Sequence, residues 1–395
     1  MKKILYCLLL FLPCMLSTNT TRSQTNALTW TRIAELPADS GTDKQFGLAG
    51  AFTGVSGRVL IIAGGANFSG GMPWQGGKKI YHDALYVLQK DKNSRYIWLH
   101  PRNRHLKNKL AYGASVSMPA GIVCIGGESE TGFSNGVFLI RWDDIQKNVV
   151  LKSLPSLPVA LANACATAMG NRIYVAGGEN AEKALDNFFM FDLADPKPHW
   201  ESLPPVPLAM SNSVAVTQSN GRFPCVYILG GRSKTSSGIS DLHSTVFCYE
   251  PGTRRWRKSG GIRNGMKPVN LSAGTGFALG RNHIVLTGGD QGDIFHVLEK
   301  FNTDIAAAGS DREREILQNK KSAILNHHPG FSKAVLLYNT LTGAWENLPE
   351  LPFPAQVTTT GVKWNDDLII PSGEIKPGVR TPDVMLGKIN LKIAE

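Results

Sequence analysis

Six short apolar runs in this chain end at a glycine pair or its near equivalent. They are residues 60–63 before Gly64-Gly65, 122–125 before Gly126-Gly127, 173–176 before Gly177-Gly178, 226–229 before Gly230-Gly231, 284–287 before Gly288-Gly289, and 368–371 before Ser372-Gly373. Each run is rich in Val, Ile and Leu and has the length of a strand buried on both faces, while the glycines mark backbone that needs positive φ or close approach. A second mark recurs between them, a Trp or apolar residue running into Leu-Pro at residues 30–37, 154–155, 200–204 and 345–349. A period of about 50 to 60 residues with this punctuation constrains the chain to repeated four-stranded sheets set around an axis.

The repeat is the Kelch signature, and six marks predict an all-β, six-bladed propeller. The last mark is followed by one more strand candidate at residues 383–389, after which no Trp-x-x-Leu-Pro strand remains. Residues 28–36 have that outer-strand pattern and no glycine-pair strand before them. The N-terminal strand is therefore expected to complete the sixth blade, which removes two exposed sheet edges at once. Between Gly289 and Gly373 the spacing stretches to 84 residues. The excess at residues 304–322 is charged, free of proline and spaced like an amphipathic helix, with Ser310 as N-cap and Ile316 and Leu317 on one face. It reads as a helical loop insertion.

At 395 residues and 42% hydrophobic content, one propeller over residues 25–395 uses nearly all of the chain. Residues 1–24 open with Lys2-Lys3, an apolar run at 4–16 and a polar stretch, the plan of a secretory signal peptide, so the mature protein is expected to be exported to the periplasm. The apolar run is too short to span a bilayer, and no integral membrane segment is expected in the mature form. Cys7 and Cys14 fall in this leader; Cys14 also reads as a lipid-attachment cysteine, against a poor lipobox at Phe11-Leu12-Pro13. Cys124, Cys165, Cys225 and Cys248 sit in or beside apolar runs and read as small buried residues, with a Cys225–Cys248 bridge between adjacent strands left open. None has zinc-like spacing, and no metal or other cofactor is expected. The net charge of +11, three units of it from Lys2, Lys3 and Arg22, attracts anions, but without a dense Lys/Arg tract the expected partner is a small acidic molecule and not nucleic acid.

Loops from successive blades converge at each mouth of a propeller channel, so a site built from several blades is expected there. The residues that follow the glycine marks are Ala66, Glu128, Glu179, Arg232, Asp290 and Glu374. Polar residues at this position also serve to hydrogen-bond turn backbone, and singly each has that structural reading. Glu374 stands out because Pro377-Gly378 has the chemistry of a tight turn that returns Arg380 toward it. A carboxylate and a guanidinium held by one turn make a general base beside an anion anchor. Asn67 and Arg232 are candidates for a ligand's hydroxyls or carboxylate, and Glu128, Glu179 and Asp290 are further binding candidates. Lys78, Lys79 and His82 form a second line with equally good readings as solvated or backbone-satisfying loop residues.

These residues carry a family resemblance. The segment GEIKPGVRTPDV at 373–384, GGANFSGG at 64–71 with its Gly77-Lys78-Lys79 sequel, Leu110-Ala111-Tyr112-Gly113, Gly126-Gly127-Glu128, and Thr287-Gly288-Gly289 followed by Ile294-Phe295 together resemble the N-acetylneuraminate epimerases, sialic acid mutarotases built as exported six-bladed Kelch propellers. The likeness is strongest to a cyclically permuted branch, since the blade with the glutamate and arginine here ends the chain. Ser372 and the loop 290–293 depart from the family pattern. The resemblance implies interconversion of the α and β anomers of N-acetylneuraminic acid, an acid-base role for Glu374, a binding or catalytic role for Arg380, and no cofactor. The competing reading is a non-catalytic propeller that binds acidic sugars or a partner protein. Sialidase Asp boxes are missing from the sequence, and the cysteines lie in strand runs, unlike those of a Kelch copper radical oxidase. Oligomeric state is left open.

Overall fold

The computed structural model describes residues 28–38 and 43–390. The expected leader, with Cys7 and Cys14, lies outside the described residues. Six antiparallel four-stranded sheets surround one axis. From the axis outward, blade 1 consists of Phe52–Ser56, Val59–Ala63, Leu85–Lys90 and Tyr96–Leu99. The innermost strands of blades 2 to 5 are Ala114–Met118, Cys165–Met169, Val214–Ser219 and Thr275–Leu279. Blade 6 runs Val362–Trp364, Asp367–Lys376, Val379–Ile389 and then Leu28–Glu35, whose register pairs Leu28 with Ile389 and Glu35 with Asp383. The N-terminal strand thus closes the last blade, as the strand count requires.

Each glycine-pair strand is buried because sheets pack face to face, and the hydrophobic core is divided into clusters between neighbouring blades. Phe52, Ile61 and Val87 of blade 1 meet Ile122, Cys124 and Ile140 of blade 2, while Ile62 and Leu88 meet Ile369 and Leu386 of blade 6. The first glycine of a pair allows the next blade to approach. Gly64 has φ 65°, and a Cβ there would fall 2.3 Å from the Leu110 carbonyl oxygen. Cys124, Cys165, Cys225 and Cys248 are buried free thiols. Cys225 and Cys248 do lie on adjacent strands, but the register sets Cys248 opposite Tyr227, and the two are not bridged.

The insertion in blade 5 is larger than its sequence suggests. It forms two helices, α1 at Asp293–Ala307 and α2 at Asp311–Asn326. The expected helix at residues 304–322 covers most of α2 and the end of α1; the rest of α1 has its own apolar spacing at Ile294, Val297, Leu298 and Phe301. Gly309-Ser310 separates the helices, and the Ser310 hydroxyl caps α2 by accepting the Glu313 N–H at 3.2 Å. Ile316, expected on a packed face, is exposed; Leu325 is the buried apolar residue of α2.

A closed ring of six backbone hydrogen bonds crosses the axis. The residue leading into each innermost strand has left-handed φ: Gly50, Tyr112, Asn163, Asn212, Ala273 and Thr358, between 52° and 65°. Each donates its N–H to the carbonyl of its predecessor around the ring, from Tyr112 to Gly50 at 2.7 Å through to Gly50 to Thr358 at 2.7 Å, and the longest bond is 3.0 Å. Five of these residues are not glycine, and such conformations persist only where the surroundings enforce them. The ring lies between two cavities. One, of about 490 Å³, is walled by the small residues of the innermost strands, with Lys363 the one charged residue on its wall. The other, of about 620 Å³, gathers the ionisable residues.

Candidate active site

The repeat itself delivers the polar residues to this larger cavity. In every blade the residue after the glycine mark forms a backbone bridge with the residue just before the ring: Ala66 with Ala49, Glu128 with Ala111, Glu179 with Ala162, Arg232 with Ser211, Asp290 with Ser272 and Glu374 with Val357. Glu128, Glu179, Arg232, Asp290 and Glu374 accordingly all line one cavity at the same depth around the axis. Helices α1 and α2 and the loop at residues 72–79 form the remaining wall, contributing Phe295, Leu298, Leu325 and Trp74. The Trp74 indole N–H donates to Asn326 Oδ1 at 2.9 Å, which ties loop to helix. Glu299 of α1 accepts both the backbone N–H and the hydroxyl of Ser240, at 2.7 and 2.6 Å.

In blade 6 the Pro377-Gly378 turn brings Arg380 directly across the ladder from Glu374. Glu374 Oε1 accepts the Gly378 N–H at 2.8 Å and lies 3.4 Å from Arg380 Nη1. The Arg380 side chain is 4% exposed against 18% for Glu374, and its Nε and Nη1 have no hydrogen-bond partner among the described residues. The guanidinium lies over the Phe68 ring, 4.6 Å from the centroid. A buried guanidinium with unused donors is costly alone and favours an anion that can accept from it. The Tyr112 hydroxyl stands near it; burial pushes its pKa up, with Arg380 and Lys79 opposing.

The other carboxylates are held differently. Glu179, 5% exposed, accepts from Asn163 Nδ2 at 2.7 Å and pairs with Arg232 at 3.4 Å and Lys234 at 3.1 Å. Glu128 accepts from Lys79 at 2.9 Å and from the Tyr81 hydroxyl at 2.6 Å. Burial opposes the Lys79 charge, but Tyr112 and Glu128 outweigh it and hold its pKa above the usual lysine value. Burial and the bond to Glu128 push the Tyr81 hydroxyl to about 12. Asp290 has one backbone donor, Gly292 N–H at 2.8 Å, and burial raises its pKa above the ordinary carboxylate value.

A model of the N-acetylneuraminate epimerase family matches residues 15–149 and 154–395. The chain belongs to this family. Similar proteins named N-acetylneuraminate epimerase include one from Haemophilus influenzae (strain PittEE), 27% identical over 61% of this chain and 60% of its own length. Another, from Salmonella typhimurium (strain LT2), is 31% identical over 58% of this chain and 56% of its own length. One from Brucella melitensis biotype 1 is 28% identical over 60% and 58%. The matched region thus spans about 60% of the length of these relatives.

Of the residues singled out from sequence, Glu374, Arg380, Glu128, Glu179, Arg232 and Asp290 converge on the cavity, and Asn67 does not. Asn67 is 2% exposed and donates to the Gly47 carbonyl at 3.1 Å; its neighbour Phe68 takes the cavity wall instead. Lys79 belongs to the wall, whereas Lys78 is exposed. Tyr112, Asn163 and Asn212 were missed as lining residues. Their signal was present as a second repeat, an apolar residue, then Ala or Ser, then the ring residue, at Leu110-Ala111-Tyr112, Leu161-Ala162-Asn163 and Met210-Ser211-Asn212. Among the described residues there is no cluster of His, Cys, Asp and Glu arranged to hold a metal ion, and no helix is long and apolar enough to cross a membrane.

Proposed function

We propose that this protein accelerates the interconversion of the α and β anomers of N-acetylneuraminic acid, with Glu374 as proton-transfer residue and Arg380 as the partner of the sugar carboxylate. The observation that carries this reading is the pairing of a cavity carboxylate with a nearly fully buried guanidinium whose Nε and Nη1 make no hydrogen bond among the described residues. Ring opening of a cyclic hemiketal requires a base for the anomeric hydroxyl proton and an acid for the ring oxygen, and reclosure on the other face inverts the anomeric carbon. Positioned acid-base groups contribute roughly 10² to 10⁴-fold to such steps.

Family membership supports the sugar class, and the names of the relatives supply the reaction for those proteins. The cavity of about 620 Å³, walled in part by α1 and α2, has the size of a small-molecule site, which favours a sugar ligand over a docked partner protein; the exchange assay separates turnover from binding of an acidic sugar alone. The same proposal places residues 1–24 as an export leader and the mature protein in the periplasm; N-terminal sequencing of the exported protein checks both.

Proton NMR on freshly released N-acetylneuraminate tests the activity. The wild-type protein is expected to raise the anomer-exchange rate above the spontaneous one. Glu374→Gln keeps an oxygen for the Gly378 N–H and is expected to bind the sugar while losing the acceleration. Equal exchange rates for the two proteins overturn the assignment.

A further inference from the structure

Opening the hemiketal moves two protons at oxygens bonded to one carbon, and Glu374 accounts for one of them. Asp290 occupies the same register position one blade earlier. Ser272 bridges Asp290 as Val357 bridges Glu374, and the ring bond from Thr358 N–H to the Ala273 carbonyl, 3.0 Å, joins the backbone next to one bridge to the backbone next to the other. The loop returning from α2 lies alongside both: a Cβ at Gly330 would sit 3.1 Å from the Ile375 carbonyl oxygen, and His328 acts electrostatically on Asp290. Both carboxyls line the same cavity.

Their surroundings separate their roles. Glu374 lies beside a guanidinium and accepts a backbone N–H. Among the described residues, Asp290 has only the Gly292 N–H as a hydrogen-bond donor, to Oδ1. The groups facing it are His328 from the loop after α2, His296 and Asp293 from α1, with Arg232 and Glu374 at the equivalent positions of the flanking blades. Burial raises the Asp290 pKa, and the His328 and His296 imidazoles only partly oppose it. Burial also favours neutral imidazole at His328. An anionic sugar in the cavity acts on Asp290 in the same direction as burial. Two carboxyls in one cavity, one beside a guanidinium and the other without a cationic hydrogen-bond partner, are placed to divide into a base and an acid.

We propose that Asp290 is the acid partner of Glu374, giving its proton to the ring oxygen while Glu374 takes the proton of the anomeric hydroxyl. This rests on the anomer-exchange reading above. The bond from the anomeric carbon to the ring oxygen breaks, its electron pair leaves with that oxygen, and the Asp290 proton joins it to form a free hydroxyl. The anomeric oxygen becomes a ketone carbonyl as its proton passes to Glu374. On reclosure the hydroxyl attacks the other carbonyl face and returns its proton to Asp290, and Glu374 reprotonates the new anomeric oxygen. Both carboxyls end as they began.

The test is the acceleration over the spontaneous rate, measured as a function of pH. The wild type is expected to lose acceleration on the alkaline side as Asp290 ionises. Asp290→Asn still offers an oxygen to the Gly292 N–H, and is expected to lower kcat about 10²-fold with KM little changed and to lose the alkaline limb. Asp290→Glu restores a limb with a displaced midpoint, and decides the matter alone if the asparagine variant does not fold. A structural residue would leave the limb where it is. An unchanged kcat in Asp290→Asn, or an alkaline limb that neither variant moves, overturns the inference while leaving the anomer-exchange reading intact. A wild-type protein without acceleration overturns that reading, and this inference with it.

Discussion

Glu374 Oε1 sits 3.4 Å from Nη1 of Arg380 yet takes its one hydrogen bond from the Gly378 backbone, at 2.8 Å. The pair is electrostatically coupled, but the guanidinium's Nε and Nη1 remain free of hydrogen bonds. Lysine would keep the charge and lose the planar fork that fits a carboxylate. Arg380→Lys is therefore expected to raise KM for N-acetylneuraminate about 10-fold or more, the equivalent of one charge-assisted hydrogen bond, with a smaller effect on kcat. Saturation kinetics from the NMR exchange assay provide the check. A KM equal to wild type would mean that the carboxylate is anchored elsewhere.

The turn between the two is set by Gly378. It has φ 79°, and a Cβ there would lie 3.1 Å from Trp74 Cζ3 and 3.3 Å from Met72 Sδ. Gly378→Ala is expected to cost about 1 to 2 kcal/mol from backbone strain and crowding. Because the displaced N–H is the one that holds Glu374, kcat should fall together with the thermal midpoint, as calorimetry and the exchange assay would show on the same sample.

Glu179 looks like Glu374 in sequence but is held differently. Four donors converge on it, from Asn163, Ser211, Arg232 and Lys234, and its side chain is 7% exposed. Glu179→Gln leaves Arg232, 18% exposed, without its counter-charge. A loss of about 2 to 4 kcal/mol in denaturant unfolding is expected, as for a broken buried pair with one partly solvated partner. If stability were unchanged while activity vanished, Glu179 would belong to the chemistry.

The fold was legible because its signals are local and repeated. A glycine pair after a β-branched run reports one backbone event, and six of them report the ring. The splice of residues 28–35 onto blade 6 followed from counting strands. The pairing of Glu374 with Arg380 was legible because a Pro-Gly turn fixes both register and distance. Lys79 and Tyr112 were harder to place, since their contacts to Glu128 and Arg380 cross from one blade to another and depend on the angle between sheets. Asn67 misled for the same reason: alternation sends either Asn67 or Phe68 to the cavity, and only the packing of the loop decides which. The length of the helical hairpin was hidden because α1 follows the glycine mark at Gly289 almost directly, where the repeat leads one to expect a blade loop, although Ile294, Val297, Leu298, Phe301 and Ile305 stand at helical spacing.

Ser372 is the point where the ring closes, and it departs from the glycine found at this position in the other five blades. It holds φ 52°, a conformation that costs a non-glycine residue on the order of 1 kcal/mol or more. The hydroxyl explains why serine is tolerated. In blades 1 to 4 the second glycine of the pair donates its N–H directly to the next blade, as Gly65 does to the Leu110 carbonyl at 2.9 Å. In blade 6 the fully buried Ser372 Oγ accepts the Leu48 N–H at 2.8 Å and lies 3.0 Å from the Leu48 carbonyl and 2.7 Å from that of Thr381. Ser372→Ala keeps the strained φ and leaves the Leu48 N–H buried without its acceptor, an expected loss of about 2 kcal/mol. Ser372→Gly loses the same bond but relieves the strain, so about 1 kcal/mol is expected. The order wild type, Gly, Ala in urea midpoint is the outcome that matters, together with faster hydrogen exchange at the Leu48 amide in both variants. A glycine variant at least as stable as wild type would show that the hydroxyl does not hold the first and last blades together.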